Sequence, residues 1–188
     1  KYGWSKDKTS FENRLKLNYK DIKEGDDWGK KWESAWFELS IKIPSDWKGR
    51  TLATNLDFSG EGLVYDSKGN EIQGITNGAI WDPNFARTRV IINQKLISNQ
   101  TLTLWVEAAA NSLFGVFTDP DVKEESPKKH GWFDAKVEKM RLGIFDVELW
   151  NLYLDARVLM GLLKHLDKDS VQRAVSYTHL TLPTKNEV

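Results

Sequence analysis

Residues 36–44 read Trp-Phe-Glu-Leu-Ser-Ile-Lys-Ile-Pro, so Phe37, Leu39, Ile41 and Ile43 alternate with Glu38, Ser40 and Lys42. Successive side chains of a strand point to opposite faces, so this alternation predicts a strand with one face buried. Pro44 closes the run, because it has no N–H to give to a ladder. The signal recurs downstream. Residues 51–58 are a second strand with imperfect alternation, since Leu52, Asn55 and Asp57 break it. Residues 61–66 and 71–75 flank Ser67-Lys68-Gly69-Asn70, a hairpin turn with Gly69 at the position that needs positive φ. Residues 87–92 form a further strand, and 101–110 are the strongest β run in the chain. After a polar loop at 119–131, Trp132-Phe133 and residues 135–142 resume the alternation.

Short strands at this spacing, punctuated by Gly and Pro turns, predict a mainly β fold. The expected architecture is a jelly-roll or galactose-binding-like β-sandwich followed by an α-helix. The helix is read from a change of period: Leu149, Leu152, Ala156, Leu159, Leu163 and Leu166 recur three and four residues apart, which makes one apolar stripe. Ser170 is placed to cap a second helix starting at Val171. The domain reading is therefore an irregular entry segment at 1–34, a β-sandwich at 35–144 and a helical linker at 145–174. Residues 175–188 continue neither pattern. Val175-Ser176-Tyr177-Thr178-His179-Leu180 resembles a translated sequencing-library adapter, and this tail is expected to be non-native.

Charge excludes some partners. Lys plus Arg and Asp plus Glu both number 27, so there is no broad basic field to hold nucleic acid or an anionic membrane. No apolar run approaches the roughly 20 residues of a membrane-spanning helix. Cysteine is absent, which excludes disulfides and thiolate metal sites and is compatible with a reducing compartment.

Four ordered patches carry a resemblance. Trp28-Gly29 with Trp36-Phe37, Ile43-Pro44 and Trp47-Lys48-Gly49 is the first. Ser59-Gly60-Glu61-Gly62-Leu63-Val64-Tyr65, with Gly69 and Gln73-Gly74, is the second. The third runs Leu104-Trp105-Val106-Glu107-Ala108-Ala109-Ala110-Asn111-Ser112-Leu113-Phe114-Gly115, and the fourth runs from Val147-Glu148-Leu149-Trp150 to Leu163. Together they resemble the N-terminal region of glycoside hydrolase family 38 α-mannosidases, of the kind usually found inside cells. The resemblance implies an accessory β-sandwich of an enzyme that hydrolyses terminal α-mannosides of oligosaccharides, in the cytoplasm. It implies a catalytic domain after this region, with an Asp nucleophile, a second carboxyl as acid/base and zinc or another divalent metal held by His and Asp. It also implies that this sandwich partners its own catalytic domain and assembles into a homo-oligomer. The family's catalytic entry motif, of Gly-His-x-His-x-Asp type, has no match in this chain, so the fragment alone is expected to be inactive.

The remaining chemistry is thin. His165-Leu166-Asp167 has a His-x-Asp spacing, but residues two apart do not share a helix face. His130 lies in a Lys-rich loop and His179 in the tail, so no metal set emerges. Glu61 and Asp66 flank one short strand; they act as paired carboxylates, hold a structural calcium, or make ordinary polar contacts. Nine tryptophans serve a packed core or a sugar-facing surface. Trp81, in a loop, is the first choice for sugar contact, with Glu61 and Asn111 as companions. Trp28, Trp32, Trp36 and Trp105 stand as further aromatic candidates, Trp105 being read as core. A free-standing carbohydrate-binding module is the competing reading.

Overall fold

The computed structural model describes residues 1–30, 32–76, 86–111 and 135–181. It divides into two compact units, Lys1–Phe145 and Asp146–Val188.

The first unit is built from two antiparallel sheets. Its strands are β1 (Tyr2–Ser5), β2 (Tyr19–Lys20), β3 (Ser34–Lys42), β4 (Leu52–Asp57), β5 (Glu61–Asp66), β6 (Glu71–Thr76), β7 (Arg89–Ile92), β8 (Ile97–Ser98), β9 (Thr101–Ala109) and β10 (Lys139–Ile144). Among the described residues the large sheet runs β2-β1-β3-β9-β5-β6 with β8 also on β9, and the small sheet runs β10-β4-β7. The alternating run at 36–43 is the register key. β3 pairs with β9 so that Ala35, Phe37 and Leu39 stand opposite Ala108, Val106 and Leu104. These inward residues meet Leu52, Leu56, Val90 and Ile92 of the small sheet in one apolar core. The imperfect alternation of 51–58 is resolved by Thr54, which takes an inward place between Leu52 and Leu56.

Trp28 and Phe58 complete that core. Trp28 is fully buried, packs edge-on against Phe37, and donates its indole N–H to the Phe58 carbonyl at 2.9 Å. The donor is thereby satisfied inside the apolar interior, as a buried indole requires. The hairpin turn at 67–70 forms as its composition predicts, with Gly69 at φ +92° and the Asp66 carboxylate accepting from the amides of Lys68 and Asn70.

Residues 1–34 hold more regular structure than their sequence signals. They supply β1 and β2 at the edge of the large sheet and a 3-10 turn at Phe11–Lys16. Runs as short as Tyr2–Ser5 give too few alternations to be read as strands. Trp81, Trp132 and Phe133 lie outside the described residues.

The second unit contains α1 (Val147–His165) and α2 (Val171–Thr181). Asp146 caps α1 by accepting from Leu149 N at 2.9 Å, and Ser170 caps α2 by accepting from Arg173 N at 3.2 Å. Arg173 turns back to the Leu163 and Leu166 carbonyls and so satisfies the end of α1. The single apolar stripe expected of α1 is incomplete. Val147, Leu154, Val158 and Leu162 lie on the opposite side of a helix with about 3.6 residues per turn, and all four are exposed. The break expected after Ala174 does not occur, because α2 continues to Thr181. Ser176 and Thr178 stay helical by returning their hydroxyls to the carbonyls of Gln172 and Ala174. Ser176 is also buried, so its segment packs rather than hangs free.

Candidate functional site

Two constellations on the large sheet gather its polar and aromatic side chains. The first lies on the face turned away from the sandwich core. There Trp36, Tyr65 and Trp105 form a buried cluster, covered by Phe11, Leu17 and Tyr19 of the entry segment and by Leu63. Trp36 donates its indole N–H to the Thr9 carbonyl at 2.8 Å, and Tyr19 meets Trp105 edge-on. Glu107 stands on this face, opposite Trp36 of β3 and Leu63 of β5. Burial raises the Glu107 carboxyl above its usual pKa, against the charge of Lys8 and the hydrogen bond it accepts from the Tyr65 hydroxyl at 3.3 Å. Burial, followed by the Glu107 charge, pushes Tyr65 up to about 12. These tryptophans are sealed by the strap of residues 9–19, so in this conformation they offer no platform for a sugar ring.

The second constellation lies at the end of β3, β5 and β9, and it contains two of the three residues chosen for sugar contact. Asn111 donates its side-chain amide to Glu61 Oε2 at 2.5 Å and accepts from the Glu61 backbone N–H at 3.2 Å. The two are locked together although 50 residues apart in sequence. Gly60 makes this closeness possible: a Cβ there would lie 2.4 Å from the Ala109 carbonyl oxygen. The Ser-Gly-Glu-Gly pattern of 59–62 is thus a steric requirement of β5 lying against β9.

Trp32 flanks the same end. Its N–H donates to the Ala110 carbonyl at 2.7 Å, and Ala110 N–H donates to the Glu33 carbonyl at 2.8 Å. Glu33 N–H donates to the Lys30 carbonyl at 3.0 Å, and Trp32 lies in a turn at φ +70°. That φ is rare and costly for a bulky side chain. Trp32 is nevertheless 48% exposed, and Trp4, 46% exposed, donates its indole N–H to Glu33 Oε2 at 2.8 Å. The sequence carries no signal for this conformation, because neither Trp32 nor Glu33 is among the usual turn residues.

Glu61 and Asp66 are not a pair. They sit at opposite ends of β5, roughly 16 Å apart at about 3.3 Å per residue, so they share neither acid/base work nor a cation. His165 is the last residue of α1, while Asp167 lies beyond it and accepts from the Asp169 amide at 3.2 Å. Among the described residues no three of His, Cys, Asp or Glu converge as candidate metal ligands. Among them, too, no helix is long and apolar enough to cross a membrane.

Comparison with known proteins agrees with this architecture. The family model described as the jelly roll domain of α-mannosidase matches residues 2–138. Alpha-mannosidase G of Dictyostelium discoideum is 27% identical over 164 residues, covering 87% of this chain and 14% of that protein. Alpha-mannosidase 2C1 of Mus musculus is 27% identical over 171 residues, covering 90% of this chain and 15% of that protein. Its namesake in Homo sapiens is 26% identical over 162 residues, covering 85% of this chain and 14% of that protein. The chain therefore spans about one seventh of the length of these relatives. The match begins at residue 2, so it takes in β1 and the strap as well as the sandwich. With a mainly β, two-sheet fold and a family match over most of its length, this chain belongs to the α-mannosidase jelly roll domain family.

Proposed function

We propose that this chain is the N-terminal accessory jelly roll of a cytoplasmic α-mannosidase that hydrolyses terminal α-mannosides of oligosaccharides, and that it has no hydrolytic activity by itself. The observation that carries this reading is the family match over 2–138, set beside relatives named as α-mannosidases of which the chain covers only about one seventh. The nucleophile, the acid/base carboxyl and the zinc or other divalent ion then belong to a following catalytic domain.

Helix α1 supports the same reading independently. Apolar residues occupy both of its sides, and none of its residues is buried. Exposed apolar side chains on two sides of one helix mark a surface that a partner covers. The partner proposed for it is the catalytic domain of the same polypeptide. The test is substrate choice by the protein extended along its genomic reading frame. Hydrolysis of an aryl α-mannoside in preference to aryl α-glucoside and α-galactoside supports the reading; preference for another sugar overturns it.

A further inference from the structure

The end of the large sheet that holds Trp32, Glu33, Asn111 and Glu61 has a chemistry the accessory role does not use. Trp32 is held in a left-handed turn conformation that favours glycine, yet it leaves half of its large apolar surface in water. Trp28, Trp36 and Trp105 of the same sandwich are almost wholly covered, whereas Trp32 and its neighbour Trp4 are about half exposed. Strain spent on keeping an aromatic side chain outside points to a use for its face. Beside it the polar groups are already oriented. Glu61 and Asn111 hold each other through two hydrogen bonds, and Glu33 is fixed by the Trp4 indole and the Lys30 amide. Such fixed groups do not lose side-chain freedom when a ligand arrives.

We propose that this sheet end is a carbohydrate-contact surface, with Trp32 stacking on the apolar face of a pyranose ring and Asn111, Glu61 and Glu33 bonding its hydroxyls. A flat aromatic face suits the C–H side of a sugar, and an amide beside carboxylates both donates to and accepts from neighbouring hydroxyls. Two carboxylates repel a phosphate backbone, and the chain has no net positive charge to offset them, which disfavours a nucleic acid at this surface. The choice of mannose as the sugar rests on the α-mannosidase reading; the surface itself does not.

The test follows the tryptophan indole N–H signals of this chain by NMR during titration with α-mannobiose and α-mannotriose. Saturable shifts with a Kd on the order of millimolar are expected. Trp32→Gly suits the positive φ and keeps the fold, as its melting temperature verifies, and it weakens binding at least tenfold, about 1.4 kcal/mol. Asn111→Ala, which frees Glu61, weakens it as well. Absence of shifts at about 20 mM sugar, or binding by Trp32→Gly equal to the wild type, overturns the inference. Shifts with cello-oligosaccharides and none with mannosides overturn the mannose assignment. Mannoside hydrolysis by the extended protein together with no binding by this chain sinks the surface and leaves the enzyme reading standing.

Discussion

The guanidinium carbon of Arg14 lies 4.2 Å from the centre of the Trp105 ring and 3.4 Å from that of Phe11. Arg14 belongs to the 3-10 turn of the strap and Trp105 to β9, so this stack fastens the strap to the sheet. The Arg14 side chain also donates through Nη1 to the Phe11 carbonyl at 2.6 Å, while its buried Nε finds no hydrogen-bond partner among the described residues. Each cation–π contact is worth about 0.5–2 kcal/mol and an unmet buried donor costs about 1–3 kcal/mol. The cation–π gain and the unmet donor nearly offset each other, which leaves packing as the larger part of what Arg14 contributes. Arg14→Ala is expected to lose roughly 2–4 kcal/mol in urea unfolding, and Arg14→Met to recover most of it through sulfur–aromatic contact. Equal losses in the two variants would contradict the packing account.

Gly60 lets β5 lie against β9. An added methyl meets the Ala109 carbonyl oxygen at 2.4 Å, and a backbone oxygen in a paired strand cannot swing aside. Gly60→Ala is expected to cost about 1–3 kcal/mol, the usual range for overpacking. Gly74→Ala is its control, because the nearest atom to a Cβ there is 4.0 Å away. Thermal unfolding of the pair checks this; equal melting temperatures would remove the steric argument for the 59–62 pattern.

Glu24 grips Arg141 at 2.8 Å and accepts from the Met140 amide at 2.8 Å, tying the entry segment to β10. The Arg141 hydrogen bonds, then that of Met140, lower the Glu24 carboxyl from 4.5 to about 2. A carboxyl depressed in the folded state contributes stability above its unfolded pKa and loses it as pH falls through the folded one. The stability gap between the wild type and Glu24→Gln should thus be full at pH 6 and should shrink from about pH 4.5 toward pH 2. Parallel melting curves across that window test it. A gap that stays constant would show that the carboxylate charge is not what Arg141 and Met140 recognise.

The two-sheet fold was legible where period two runs long. Residues 36–43 and 101–110 each alternate or stay apolar over a whole strand, and they pair with each other. The hairpin was legible because Gly69 marks a φ that other residues resist. The strap was not, since its cohesion comes from contacts between residues far apart, such as Trp36 with Thr9 and Arg14 with Trp105. At the sheet end, Glu61 and Asn111 were singled out separately; only the register of β5 on β9 makes them one unit. Trp32 shared its signal with eight other tryptophans, and exposure alone separates it from the buried ones.

Helix α1 predicts its own behaviour. With Leu149 and Leu152 bare on one side and Leu154 and Val158 bare on the other, the isolated chain should self-associate at high concentration. Leu154→Asp with Val158→Asp is expected to keep it monomeric in sedimentation velocity runs and to destabilise the extended protein. Improved stability of the extended double variant would show that α1 faces water there as well.

The most direct test sets this chain beside its reading-frame extension in one assay with an aryl α-mannoside. Turnover by the extended protein and none by the 188 residues alone is the expected result. Turnover by the short chain, abolished by His165→Ala or Asp167→Asn, would place a catalytic site at the C-terminal end of α1 and contradict the accessory role.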